Sequence, residues 1–305
     1  MTRYIIRRLL GAFPVLLVII TITFFMMRLA PGGPFSRDRA LPEEVRASIE
    51  ARYHLDDPLW KQYFNYMKDL AHGDLGPSFK YKDRSVNEII AAGLPVTLKL
   101  GAMALLFALV IGIPAGCIAA LRQNSAIDYA SMAVSMIGVS VPNFVVLSVL
   151  IYIFGIKLKV LSVSGWGTWQ QMVNPVIALG LMYSAYIARL SRAGMLEVVR
   201  QDYIRTARAK GLYEWLIITR HSLKAGLLPV VSFLGPAGAA IITGSLVIET
   251  ISGIPGIGRE FVQSALNRDY TLTMGTVVLY STFLIVFNII VDILYAFLDP
   301  RISYE

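Results

Sequence analysis

A single cysteine, Cys117, stands in 305 residues, so no disulfide can form within the chain and chemistry built on paired thiols is excluded. Histidine is nearly as scarce: His54, His72 and His221 are far apart, show no HExxH spacing, and offer no metal centre. The loop GxxxxGK[ST], whose backbone amides and lysine cradle nucleotide phosphates, is absent. Any use of ATP through such a loop therefore belongs to a partner. Ser140, Ser148, Ser232 and Ser245 lack the GxSxG setting of a hydrolase nucleophile. The run Gly253-Ile254-Pro255-Gly256-Ile257-Gly258 lacks both the spacing of a dinucleotide fingerprint and a preceding strand. It reads as a turn-rich loop on the outer side. The sequence predicts no enzyme active site, no metal and no bound cofactor.

Charge is thin as well, at 16% of residues, whereas 56% are hydrophobic and gather into long runs. That is the composition of a membrane protein. A hydrocarbon core of about 30 Å needs roughly 20 apolar residues in a helix. Six windows meet or approach this: Leu9 to Met27, Pro95 to Leu121, Tyr129 to Ile156, Asn174 to Leu190, Leu227 to Ile248, and Thr273 to Leu298. The fourth is short and ends in Arg189 and Arg192. The predicted fold is an all-α membrane protein of six transmembrane helices.

Cytoplasmic loops retain Lys and Arg. With both termini inside, the cytoplasmic segments hold 13 Lys and Arg against 6 Asp and Glu, and the outer segments 14 against 13. The net charge of +8 is thus almost wholly an inside excess and needs no nucleic acid to explain it. Arg3, Arg7 and Arg8 anchor the first span. Its apolar run is too long for a secretory h-region, and Arg28 to Pro34 offers no cleavage site, so it is expected to be retained.

Three segments are expected: a tail and first span (1–28), an outer helical cap (29–94), and a five-helix core (95–305). In the cap, Val45, Ile49 and Tyr53 share one helical face after Pro42-Glu43-Glu44. Leu59, Tyr63, Tyr66 or Met67, and Leu70 form a second stripe stopped by Gly73. Ser85 with Glu88 makes a capping box that leads into the second span. Both stripes are expected to pack on the membrane domain.

The longest inner loop, 191–226, carries two short basic helices around Gly211. Leu196, Val199, Tyr203 and Ala207 share one face before it, and Trp215, Ile218 and Leu223 follow. A basic interfacial helix on anionic lipid would explain the charges. It would not require the small residues Thr206, Ala207, Ala209 and Gly211, which permit close approach of another backbone. In the fifth span Ser232, Gly235, Pro236, Gly238, Thr243, Gly244 and Ser245 make a small, polar face. It suits either a translocation path or close helix packing. Lys99 lies near the outer start of its span and can snorkel, while Asp292, one turn after Asn288, is placed for an inner polar contact.

The run RTARAKGL followed by TRHSLKAGLLP resembles the coupling motif of ABC importer permeases, an EAA segment with a glycine three residues on and a downstream LP. Arg205 and Thr206 stand where Glu and Ala would be, a departure typical of the peptide-transport branch, while Ala207, Gly211 and Leu228-Pro229 keep register. FFMMRLAPGGPF, AHGDLGPSFKYKDRSVNEII, ITGSLVIETISGIPGIG, ALNRDY and DILYAFLDPRISY extend the resemblance to that branch over almost the whole chain.

The resemblance implies one permease half of a bacterial inner-membrane importer for oligopeptides. Its expected partners are a homologous second permease, two cytoplasmic ATPases that bind ATP and Mg, and an extracytoplasmic peptide-binding protein. Tyr203, Arg205, Thr206, Ala207, Arg208, Ala209, Lys210 and Gly211 would form the ATPase coupling site, and Ser232, Gly235, Pro236, Thr243 and Ser245 part of the path. Dipeptide or nickel permeases of the same group are the near alternatives. An ion-coupled secondary transporter is the alternative of a different class, and would need ionisable groups at mid-membrane.

Overall fold

The structure, a computed structural model, describes residues 2–29, 56–81 and 83–298. The stripe of Val45, Ile49 and Tyr53 and the side chain of Asp292 lie outside the described residues. The described part is helical, with one isolated bridge between Pro77 and Ser85.

The helices are α1 (Thr2–Leu29), α2 (Leu59–Ala71), α3 (Val86–Leu121), α4 (Ala126–Ser140) and α5 (Asn143–Lys157). They are followed by α6 (Trp169–Val199) and α7 (Asp202–Ala209). Glu214–Leu216, the π-helical Ile217–Ser222 and Leu223–Gly226 together form α8. The last three are α9 (Leu228–Ser252), α10 (Ile257–Asn267) and α11 (Tyr270–Leu298).

α3 starts where the capping box puts it. Ser85 Oγ accepts from the Glu88 amide and the Glu88 carboxylate from the Ser85 amide, both at 3.2 Å. The helix then runs through Pro95 for 36 residues. α2 ends at Gly73, which takes φ +78°. Its stripe faces α1, where the Tyr63 ring lies 5.3 Å from that of Phe24 and 5.7 Å from that of Phe25.

Three span boundaries differ from the sequence expectation. The third span is not one rod: α4 and α5 meet at 101° across Val141 and Pro142. Proline has no amide to give and pushes the residue before it out of the helical region, and Val141 sits at φ −90°, ψ 123°. The fourth span is longer than expected, from Trp169 to Val199, because Arg192 is neutralised by Asp128 and does not end the helix. The fifth continues past Ile248 to Ser252 and carries Glu249 inside it, where four donors hold the carboxylate.

Glycines at the α3–α6 contact fix how these helices run. A Cβ on Gly180 would lie 2.7 Å from the Ala104 carbonyl oxygen, one on Gly112 2.6 Å from that of Ser184, and one on Gly116 2.6 Å from Ser191 Cβ. Residue numbers rise together along both helices, so α3 and α6 are parallel. The chain must recross the bundle between them, and the bent pair α4–α5 makes that crossing. By the same reading α9 runs against α3, with Thr97 on Glu249 and Gly101 on Ile241, and α11 against α9, with Phe287 on Gly238. Arg28 at the end of α1 lies 5.7 Å over the ring of Tyr270 at the start of α11. Among the described residues the bundle is therefore crossed six times, and Thr2 and Leu298, the chain ends of the described part, lie on one side.

Side-chain packing, not water release, holds apolar helices together in a membrane. Gly112→Ala should lower the thermal unfolding midpoint in detergent, because the added methyl overpacks the seam by about 1–3 kcal/mol. Gly11→Ala, where a Cβ meets nothing within 4 Å, should be neutral or slightly stabilising. Equal behaviour of the two variants would remove the seam from the account.

Candidate functional site

The connection between α6 and α9 lies on the same side as the chain ends and forms a braced knob. Gln201 is extended at φ −71°, ψ 150° and Asp202 sits in the first turn of α7, where a carboxylate suits the helix dipole. Ile204 and Ala207, three apart, turn inward onto Val198, Ile217 and Ala225. The helix stops at Gly211 in the left-handed region, φ +75°, with the Gly211 amide on the Arg208 carbonyl at 2.9 Å and that of Leu212 on Ala207 at 3.3 Å.

Arg208 then reaches across the turn to the Glu214 carboxylate, at 2.6 and 3.1 Å. That hydrogen-bonded pairing holds the Glu214 carboxyl below the usual carboxylate range and raises the guanidinium. Outside the brace the surface is aromatic and uncovered: Tyr213 is 85% exposed and Trp215 75%.

Of the coupling residues named from sequence, Tyr203, Arg205, Thr206, Arg208, Ala209, Lys210 and Gly211 are exposed together on this knob. Ala207 is not: it is buried in the chain's own cluster, so its small size serves internal packing. Leu196, Val199, Tyr203 and Ala207 do not form one face either, because the helix breaks at Arg200 and Gln201 and Tyr203 points outward. After the glycine, Ile217 is the buried anchor and Trp215 faces out. Sequence reasoning missed Tyr213, although an aromatic two residues past a helix-stopping glycine was the available signal.

Two turns before the knob begins, α6 is tied to α4 by the pair Asp128–Arg192, two hydrogen bonds of 2.5 and 2.7 Å. Asp128 also accepts from the Asn124 amide at 3.0 Å. Both oxygens of a buried carboxylate are thereby satisfied, and the start of the broken span is fixed to α6.

The five path residues separate into two faces. Ser232, Pro236 and Thr243 fall with Ala240, Val247 and Ile251 on a stripe of α9 that is exposed at Pro236, Ala240, Val247 and Ile251 and half-buried at Ser232 and Thr243. Gly235 and Ser245 are buried inside the bundle.

Ser245 Oγ donates to Glu249 at 2.7 Å, Thr97 Oγ1 donates to it at 2.9 Å, and the Arg259 amide adds a third bond at 3.2 Å. Glu249 is fully buried. Its carboxylate lies at the first turn of α10, where free amides and the helix dipole favour an anion, and Thr97 Oγ1 accepts from the Ile257 amide at 2.9 Å. Glu249 thus clamps the Gly253–Gly258 loop to α3 and α9. On the same side, Asp269 accepts from the Ser78 hydroxyl and, at 3.2 Å, from the Phe79 amide. Lys99 places its ammonium 5.8 Å over the Trp166 ring.

Residues 112–304 match the family described as the binding-protein-dependent transport system inner membrane component, and residues 1–101 match its N-terminal companion. The chain belongs to this family and is a permease subunit of the ABC importer class. It is 56% identical over 306 residues to the oligopeptide transport system permease protein OppB of Salmonella typhimurium, with all of both chains covered. It is 46% identical over 303 residues to the dipeptide permease DppB of Bacillus subtilis, covering 99% of this chain and 98% of that one. A chain from an inward-facing MetNI methionine ABC transporter shares its fold, with TM-score 0.59 at 18% identity over 69% of this chain and 96% of that one. A chain of an amino acid ABC transporter solved with histidines gives 0.52 at 20% identity, over 68% and 94%.

Glu249→Gln should lower the thermal midpoint by an amount equivalent to about 1–3 kcal/mol, since an amide NH2 facing backbone donors leaves them unpaired. Thr97→Val should cost less in that background than alone, because the two groups share the clamp. Strict additivity of the two would contradict it.

Proposed function

We propose that the chain is half of the membrane pathway of an oligopeptide importer, and that the knob of α7, Gly211 and Tyr213 receives a cytoplasmic ATPase partner. The observation that carries the proposal is the combination of an exposed, internally braced knob with a chain that has no nucleotide-binding loop. Full-length likeness to an oligopeptide permease supports peptides as cargo. The likeness to a dipeptide permease makes shorter peptides the second candidate.

In this reading the partner ATPases supply ATP and Mg, a homologous permease lies across the path from the open stripe of α9, and a binding protein delivers peptide on the side of Gly253 to Gly258. Both termini face the cytoplasm of an inner membrane, and α2 belongs to the outer cap. Closure of the ATPases presses on Tyr203, Arg205, Thr206, Arg208, Ala209, Lys210 and Gly211. Because Ile204 and Ala207 seat α7 on α6 and α8, the push moves the helices as bodies, the hinge-and-shear kind of transition. Ser232, Pro236 and Thr243 face the path. A secondary transporter finds less support, since Glu249 is occupied by backbone and hydroxyl donors and Lys99 by an aromatic ring.

Ala207→Asp would test folding rather than docking, so Ala209→Glu is the informative change: an exposed helical position with no positive φ to strain. It should abolish ATPase co-purification and peptide uptake at unchanged membrane levels, while Lys210→Gln should have a small effect of about 1 kcal/mol or less. Full uptake by Ala209→Glu sinks the coupling role. For orientation, in a Cys117→Ala chain, cysteine replacing Lys68 should react with an impermeant thiol reagent in spheroplasts and cysteine replacing Arg208 should not. The reverse pattern would invert the assignment.

A further inference from the structure

On the side of the chain ends, a cleft of about 610 Å³ opens between the ends of α3 and α6 and the flank of α7. Four arginines line it, Arg122, Arg200, Arg205 and Arg208, and no acidic side chain does. Two of them cap helices: Arg122 follows α3 and Arg200 follows α6. A helix C-terminus accounts for one basic residue at each end, but not for four guanidiniums from three elements around one concavity.

Their existing bonds leave donors over. Arg200 gives one hydrogen bond of 2.9 Å to Gln123, Arg208 is held by Glu214, and Arg205 lies 3.5 Å from Asp202 on the exposed rim. Arg122 makes no ion pair or side-chain hydrogen bond among the described residues. Each guanidinium carries five donors in a fork that fits phosphate oxygens.

Gln123 and Ser125 add polar groups at the α3–α4 turn, and the remaining lining, Ala120, Leu121, Leu196 and Val199, is apolar and tells where the cleft sits. Leu121 and Val199 are the final residues of α3 and α6, so the floor is the level at which two apolar spans end. A site with guanidiniums at that level and an apolar floor matches an amphiphile whose phosphate lies in the headgroup layer and whose chains enter the membrane.

We propose that this cleft binds the phosphate of an anionic phospholipid from the leaflet on the side of the chain ends. The lipid would bridge the α3–α4 turn to the flank of α7, where Arg205 and Arg208 border both the lipid and the ATPase-facing surface, and it would leave the Tyr203, Thr206 and Lys210 side of that helix open. The proposal is independent of the cargo, and its failure leaves the peptide reading untouched.

The test is native mass spectrometry of the full purified chain, titrated with phosphatidylglycerol or with phosphatidylcholine of the same acyl chains. The wild type should retain phosphatidylglycerol in preference. The double variant Arg122→Gln, Arg200→Gln should lose roughly tenfold or more of that retention, while Lys68→Gln with Arg84→Gln, which removes the same charge on the opposite side, should keep it. Arg122→Gln alone, altering a side chain that holds nothing in place, serves if the double variant unfolds, and should lose a smaller part. Inorganic phosphate should not displace the lipid. Equal retention of both lipids, no loss in the arginine variants, or displacement by inorganic phosphate would overturn the proposal. So would lipid retention only when no other subunit co-purifies, which would give the cleft to a protein partner.

Discussion

The parallel contact of α3 and α6 through Gly112, Gly116 and Gly180 sets the rest of the architecture. Two helices that touch backbone to backbone and run the same way cannot be joined by a short turn. The chain between them must cross back, and it does so through a pair bent by 101° at Val141 and Pro142. Six crossings follow, and two connections are thereby sorted to opposite sides: 200–227 beside the described chain ends, and 253–269 opposite. A larger residue at any of the three glycines would separate the helices and loosen this ordering.

Each end of the seam is closed by one buried carboxylate. On the side of the chain ends, Asp128 accepts the fork of Arg192 and fixes α4 to α6. Breaking such a pair from one side leaves the other charge without its counter-ion. On the other side Glu249 is held without a cation, by two hydroxyls and the amides that open α10. The first anchor steadies the helix from which the α7 knob projects, and the second steadies the Gly253–Gly258 loop on the opposite side. A body that moves as a unit between two such anchors can carry a push from one face to the other.

Much of this was legible in the residues. Six apolar windows, the Ser85–Glu88 box, the stop at Gly73 and the pair of short helices around Gly211 follow from length, capping and glycine chemistry, which are local. What was not legible depends on contacts distant in sequence. Arg192 looked like a helix end because its partner Asp128 is 64 positions away. Glu249 looked like a loop acid because its donors come from Thr97 and the start of α10. The buried state of Ala207 was hidden because a small residue serves a partner's groove and an internal contact equally well. Ser245 and Gly235 shared composition, but not direction, with Ser232, Pro236 and Thr243.

The central claim is that the braced knob meets a protein and not only lipid. A benzophenone amino acid at Tyr213, with a second at the exposed Trp60 on the opposite side as control, can be irradiated in membranes that contain the whole assembly. The account predicts a cross-link from position 213 to an ATP-binding subunit and none from position 60. Cross-links from position 213 to lipid alone would contradict it.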